Sequence, residues 1–196
     1  MTAPLPPADP YPELLAKAAR FAAAAHAGQT RKGSGEPYVT HPLGVAGILA
    51  AAGYGGDAEL LAAACLHDVV EDTAVTAADL AANFPPRVCE LVAGMTERKR
   101  DASGAKLPWE TRKAEHRARL AAGSVALRAL ALADKLHNLR SVELDLADGR
   151  DPFAAFHAPR RRWLDVARLA VGAYRCEETA DLADACLAAL DRLDAA

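Results

Sequence analysis

Residues 64–73, ACLHDVVEDT, set an apolar run of Ala, Cys, Leu and Val against His67, Asp68, Glu71 and Asp72. The apolar residues ask for a buried helix, predicted to start behind an Asp57 cap and to run to about Glu71. Carboxylates inside it are expensive, because an ionised group in an apolar interior shifts its pKa or finds a cation. On one continuous helix, residues four apart share a face, so His67 should stack with Glu71 and Asp68 with Asp72. A second apolar stretch, SVALRALALADKLHNLRSV over 124–142, repeats the pattern, with Asp134 and Asn138 at the same offset. Two such helices satisfy each other only if their polar columns converge on something.

The surroundings read as helix throughout. Hydrophobic residues make up 52% of the 196 and aromatics 5%, a balance dominated by Ala and Leu, which favours an all-α protein. A first helix is expected from about residue 12 to a stop at Gly28, and a glycine-rich loop over 28–40. Thr40 should cap the next helix, with His41 and Pro42 in its first turn and Gly53 to Gly56 ending it. Thr76 should cap a short helix to Phe84. Further helices are expected from PPRVCELV, from Pro108 to about Ala122, from a Ser124 cap, and over 160–174 and 177–194. No alternating strand pattern is present, so the expectation is a bundle of about eight to ten helices. Residues 1–11 read as a loose proline-rich arm, 12–196 as a single domain, and 97–107 as a mobile charged loop.

The net charge of −3 is too small for bulk nucleic-acid binding, and no polybasic run advertises a membrane surface. No segment approaches about 18 uninterrupted apolar residues, and the first residues lack a secretory pattern, so a cytoplasmic location is expected. Cys65, Cys89, Cys176 and Cys186 stand singly, without a CxxC pair, which argues against structural zinc and a disulfide framework. The balance is that of a soluble enzyme or binding protein.

A divalent metal is the natural centre for the two polar columns. A lone His or Asp in an apolar helix is more often a hydrogen-bonded core residue or a cap, but the combination leaves several charges unpaired without a cation. His67, Asp68 and Asp134, with His41 as a further candidate, form a nitrogen and oxygen donor set suited to a manganese, iron or zinc type ion. An open coordination position on such an ion acidifies water. Arg31 and Lys32 lie in the glycine-rich loop shortly before His41, and a guanidinium fork with an ammonium suits phosphate. His26 is expected in support, His137 in packing, and His116 on a solvated face. His157 has no visible partner, and the basic residues of 97–107 and 160–162 read as solvated.

The motifs HAGQTRKGSGEPYVTHPLGVAGIL, CLHDVVEDT and ALADKLHNLRS, in this order over about residues 12–175, resemble the HD-domain metal phosphohydrolases, named for the His–Asp pair seen here as His67 and Asp68. More narrowly they resemble the hydrolase domain of the RelA/SpoT homologues. The remaining length is expected to leave no room for a synthetase domain, which points to the stand-alone small alarmone hydrolases. The resemblance implies an HD-domain bundle that removes the 3′-pyrophosphate of (p)ppGpp, giving GDP or GTP and pyrophosphate with one manganese(II) ion. It implies His41, His67, Asp68 and Asp134 as metal ligands and Glu71 with Asp72 as the pair handling the catalytic water. It further implies Asn138 as a contact near the ribose and Arg31 with Lys32 near phosphate and base. Trp163 stands where animal members carry tyrosine, and could stack on a purine or belong to the core. Two alternatives stay open: an HD hydrolase for another nucleotide, such as pppApp or the 2′-phosphate of NADPH, and a non-catalytic nucleotide sensor.

Overall fold

The computed structural model describes residues 10–31, 33–155 and 158–195. Among them the chain runs as helices joined by turns, and backbone pairing outside the helices is limited to two isolated bridges, Thr30 with Pro37 and Arg100 with Lys106. The order is α1 (Pro10–Ala25), α2 (Thr40–Leu49), α3 (Ala58–Leu66), α4 (Val69–Asp72), α5 (Ala77–Ala81), α6 (Pro86–Met95), α7 (Trp109–Ala121), α8 (Val125–Ala147), α9 (Arg160–Tyr174) and α10 (Ala180–Ala195). The fold is the all-α bundle its composition asks for. α1 opens at Pro10, inside the expected arm, because proline is tolerated in a first turn. The rest of that arm, residues 1–9, lies outside the described residues.

Local capping chemistry sets most boundaries. Asp57 accepts from the Leu60 N–H at 3.0 Å, Ser124 from the Leu127 N–H at 3.2 Å, and Thr76 forms a reciprocal box with Asp79. Thr40 is not a cap: Val39 holds that position, and the Thr40 hydroxyl donates to the Pro37 carbonyl at 2.8 Å. In the loop before it, Gly33 sits at φ +97°, and a Cβ there would stand 2.2 Å from Asp145 Oδ2. Only glycine lets this loop close onto α8.

Two buried helices carry the site. Leu60 to Leu66 of α3 are all buried, as are Leu130, Leu132, Leu136 and Leu139 of α8. Each such leucine contributes about 1.5–3 kcal/mol relative to exposure. α3 packs against α1, α2 and α6, α8 packs against α2, α9 and α10, and α2 touches both. The expected single helix through Glu71 is broken at the His–Asp pair: α3 ends at Leu66, Asp68 takes φ −99° and ψ −8°, and α4 restarts at Val69. His67 Nδ1 donates back to the Ala64 carbonyl at 2.7 Å, giving the last turn of α3 a side-chain donor. The stacked columns therefore open out, and Glu71 and Asp72 reach different partners.

Candidate metal centre

α2, the end of α3 and α8 bring His41, His67 and Asp134 together, each with one ligand atom within 4.8 Å of the others. His41 Nε2 lies 3.2 Å from Asp134 Oδ1, and His67 Nε2 lies 3.8 Å from the same oxygen. Asp68 Oδ2 stands 3.2 Å from His67 Nε2 and 3.5 Å from His41 Nε2, while also accepting from the Tyr38 hydroxyl at 2.7 Å. The residues fit a cation. A carbonyl can only accept, so the His67 bond to Ala64 puts the ring hydrogen on Nδ1 and leaves a lone pair on Nε2. That Nε2 is buried and has no hydrogen bond among the described residues. A buried imidazole nitrogen without a hydrogen bond, facing two carboxylates, belongs to a nitrogen and oxygen donor set suited to a divalent metal.

The electrostatics agree. Burial opposes charge on His67, but the Asp68 and Asp134 carboxylates outweigh it and push its pKa up to about 9, so without a metal the imidazole takes a proton in its place. Burial likewise opposes ionisation of Asp134, yet Lys135, His41 and His67 hold it well below the usual carboxylate range. Asp68 is held low mainly by His67 against the same burial cost. Burial and the Asp68 carboxylate raise Tyr38, keeping the phenol a donor.

Glu71 and Asp72 sit beside this cluster. Glu71 Oε2 accepts from the Glu97 N–H at 2.9 Å, and Lys99 Nζ lies 3.3 Å from Glu71 Oε1 and 3.7 Å from Asp72 Oδ1. Burial raises the Glu71 pKa, so its carboxylate binds a proton more tightly than a free one, which suits a base. Asp72 Oδ2 accepts from Tyr38 at 3.3 Å and its carbonyl accepts from Gln29 at 2.8 Å. A cavity of about 460 Å³ opens alongside, lined among others by Arg31, Asp72, Lys135, Asn138 and Trp163. A deeper one of about 130 Å³ reaches His67, Asp68 and Asp134, and Lys113 and Lys135 line both. Arg31 Nη2 donates to Asn138 Oδ1 at 2.8 Å, and Asn138 Nδ2 donates to Asp134 Oδ1 at 2.7 Å, which links the larger cavity to the cluster. Trp163 lines that cavity and meets Phe153 edge to face at 5.8 Å. Lys32 and His157 lie outside the described residues.

Three expectations are corrected. His116 is not on a solvated face: it is half-buried, lines the deeper cavity and accepts at Nδ1 from Arg119 at 2.8 Å, because α7 packs onto α8 and α9. Lys99 is not merely solvated, since the chain after α6 folds back onto Glu71. His137 does not simply pack, because α2 crosses α8 close enough for His41 to reach it at 3.0 Å. His26 is buried, stacks on Tyr38 with ring centres 4.6 Å apart and bonds Gln29 at 2.7 Å. Tyr38 is a further site residue, and the signal for it in the sequence is its place between the glycine-rich loop and His41.

Fold and site together define an HD-type helical protein with a histidine–carboxylate centre. The family described as HD domain matches residues 18–154. Danio rerio MESH1, a guanosine-3′,5′-bis(diphosphate) 3′-pyrophosphohydrolase, is 38% identical over 137 residues, covering 69% of this chain and 73% of the relative. A GTP pyrophosphokinase of Myxococcus xanthus is 36% identical over 142 residues, which make up only 18% of its length. A solved structure of a metazoan SpoT ortholog that hydrolyses ppGpp superposes with a TM-score of 0.78 at 30% identity, covering 97% of this chain and 98% of that one. A structure from Listeria monocytogenes gives 0.68 at 33% identity, over 83% and 98%. The chain belongs to the HD-domain family, in its RelA/SpoT-homologue branch. No described helix is long and apolar enough to cross a membrane.

Proposed function

We infer that the chain is a cytoplasmic, manganese(II)-dependent hydrolase that converts (p)ppGpp and water to GDP or GTP and pyrophosphate. The observation that carries the reading is the buried Nε2 of His67, without a hydrogen bond among the described residues and facing Asp68 and Asp134, beside a cavity lined by Arg31 and Trp163. In this reading His41, His67, Asp68 and Asp134 hold one dication, which supplies positive charge to acidify water and to offset phosphate charge. Glu71, its proton affinity raised by burial, takes the proton of the attacking water. The water oxygen bonds to the 3′-linked phosphorus, the bond from phosphorus to O3′ breaks, and the proton taken from the water passes through the Glu71 and Asp72 pair to O3′, which leaves as the 3′-hydroxyl. Asp72, adjacent to Glu71, shares the handling of water and proton. Arg31, paired to Asn138, and Lys32, the next residue in the sequence, orient the phosphates and ribose, Lys113 and Lys135 offset phosphate charge, and Trp163 stacks on the purine. Neither a nucleic acid nor a membrane is a partner.

The relative from zebrafish carries this activity in its name, and the overlap in length and fold supports transferring it. The test is a product assay with manganese(II) on ppGpp, pppGpp, pppApp and NADPH. Release of pyrophosphate with GDP or GTP is the expected result. Turnover of pppApp or NADPH without turnover of the guanine alarmones would replace the substrate assignment, and binding without turnover would make the protein a sensor.

A further inference from the structure

We propose that His137 is a positioning residue that fixes the tautomer and orientation of His41 and so sets the cation affinity of the centre. His41 turns Nε2 toward Asp134 and Asp68, at 3.2 and 3.5 Å, and its other nitrogen, Nδ1, lies 3.0 Å from Nδ1 of His137. One hydrogen lies between those two nitrogens. For Nε2 of His41 to offer a lone pair to a cation, that hydrogen must belong to His41. His137 then accepts through Nδ1 and carries its own hydrogen on Nε2. The two rings meet edge to face at 70° with centres 4.8 Å apart, and His41 is 1% exposed, so at Nδ1 its partner among the described residues is His137 rather than bulk water. The Ser141 hydroxyl is 3.4 Å from the same His137 nitrogen and is spent on the His137 carbonyl at 3.0 Å.

α2 is built to admit this ring. Gly44 lies one turn after His41, outside the left-handed region, so the backbone does not demand glycine there. A Cβ at Gly44 would stand 2.2 Å from His137 Nε2 and 2.3 Å from Cδ2. The missing side chain is the slot in which the imidazole lies, and the helix accepts the conformational cost of an interior glycine to keep it. Metal-bound histidines commonly depend on a partner at the second ring nitrogen in this way.

The inference rests on the reading of His41 as a ligand, and the experiment separates the two. Manganese(II) is titrated into wild-type, His137→Leu, His137→Asn and Gly44→Ala protein, with free ion followed by electron paramagnetic resonance and apo melting temperature recorded. His137→Leu should lose about 10- to 100-fold in affinity. His137→Asn, whose Oδ1 replaces the accepting Nδ1, should keep most of it at the same melting temperature as the leucine variant. Gly44→Ala, which displaces the ring without altering it, should fall with His137→Leu and carries the test if the leucine variant does not fold. Equal loss in Leu and Asn, or unchanged affinity in both Leu and Gly44→Ala, overturns the role of His137 alone. A wild-type protein that binds no manganese(II) overturns the ligand reading, and this inference with it.

Discussion

Tyr38 joins residues of different roles through one hydroxyl, donating to Asp68 at 2.7 Å and to Asp72 at 3.3 Å, while its ring stacks on His26 and meets the Arg31 guanidinium. Around it, substitutions should separate binding from turnover. Asp68→Ala removes a proposed ligand and a negative charge, so bound metal and activity should fall together; full metal occupancy with normal turnover would remove it from the centre. Glu71→Gln keeps shape and the acceptor for the Glu97 N–H but loses basicity. Metal content should hold while turnover drops roughly 100-fold or more, the scale of general base catalysis. Arg31→Ala breaks the charged bond to Asn138 and should raise KM about 10- to 100-fold with metal retained. At this scale the sequence was most legible where a residue contradicted its surroundings. His41, His67 and Asp134 stand out because ligand types in apolar helices demand a reason. Tyr38, Lys113 and His137 look ordinary in their own segments, and their chemistry exists only through contacts between helices.

The helices themselves were legible wherever a side chain caps its own helix. Asp57, Thr76 and Ser124 close hydrogen bonds within three residues, so local sequence decides them. The break between α3 and α4 was hidden, because it depends on His67 returning its ring to Ala64 and on α4 being held by Tyr38 and by the chain after α6. That chain is fixed by Glu97, which is 7% exposed and pairs with Arg112 at 2.8 Å and Lys113 at 2.5 Å. Burial opposes its charge, but Lys113 and Arg112 prevail and lower its pKa. A carboxylate with a lowered native pKa contributes stability above its unfolded value of about 4.3, and loses it as pH falls through the native value. Glu97→Gln should therefore lower the melting temperature near neutral pH, and the difference from wild type should shrink as pH falls through the native pKa of Glu97. Parallel melting curves across that range would show that the pairs do not stabilise this segment.

Across the whole molecule, the apolar framework and the proposed chemistry share the same two helices, α3 and α8, with α2 between them. Burying α3 and α8 excludes water around the imidazoles, which strengthens the attraction of two carboxylates for a cation, be it a metal or the proton on His67. In this reading the fold holds a divalent-ion site at that crossing. Anomalous diffraction from crystals grown with manganese(II), collected at the manganese edge, tests it most directly. One strong peak per chain is expected, bounded by Nε2 of His41, Nε2 of His67 and carboxylate oxygens of Asp68 and Asp134. No peak at the crossing of α2, α3 and α8, with the ion absent or held elsewhere, would contradict it.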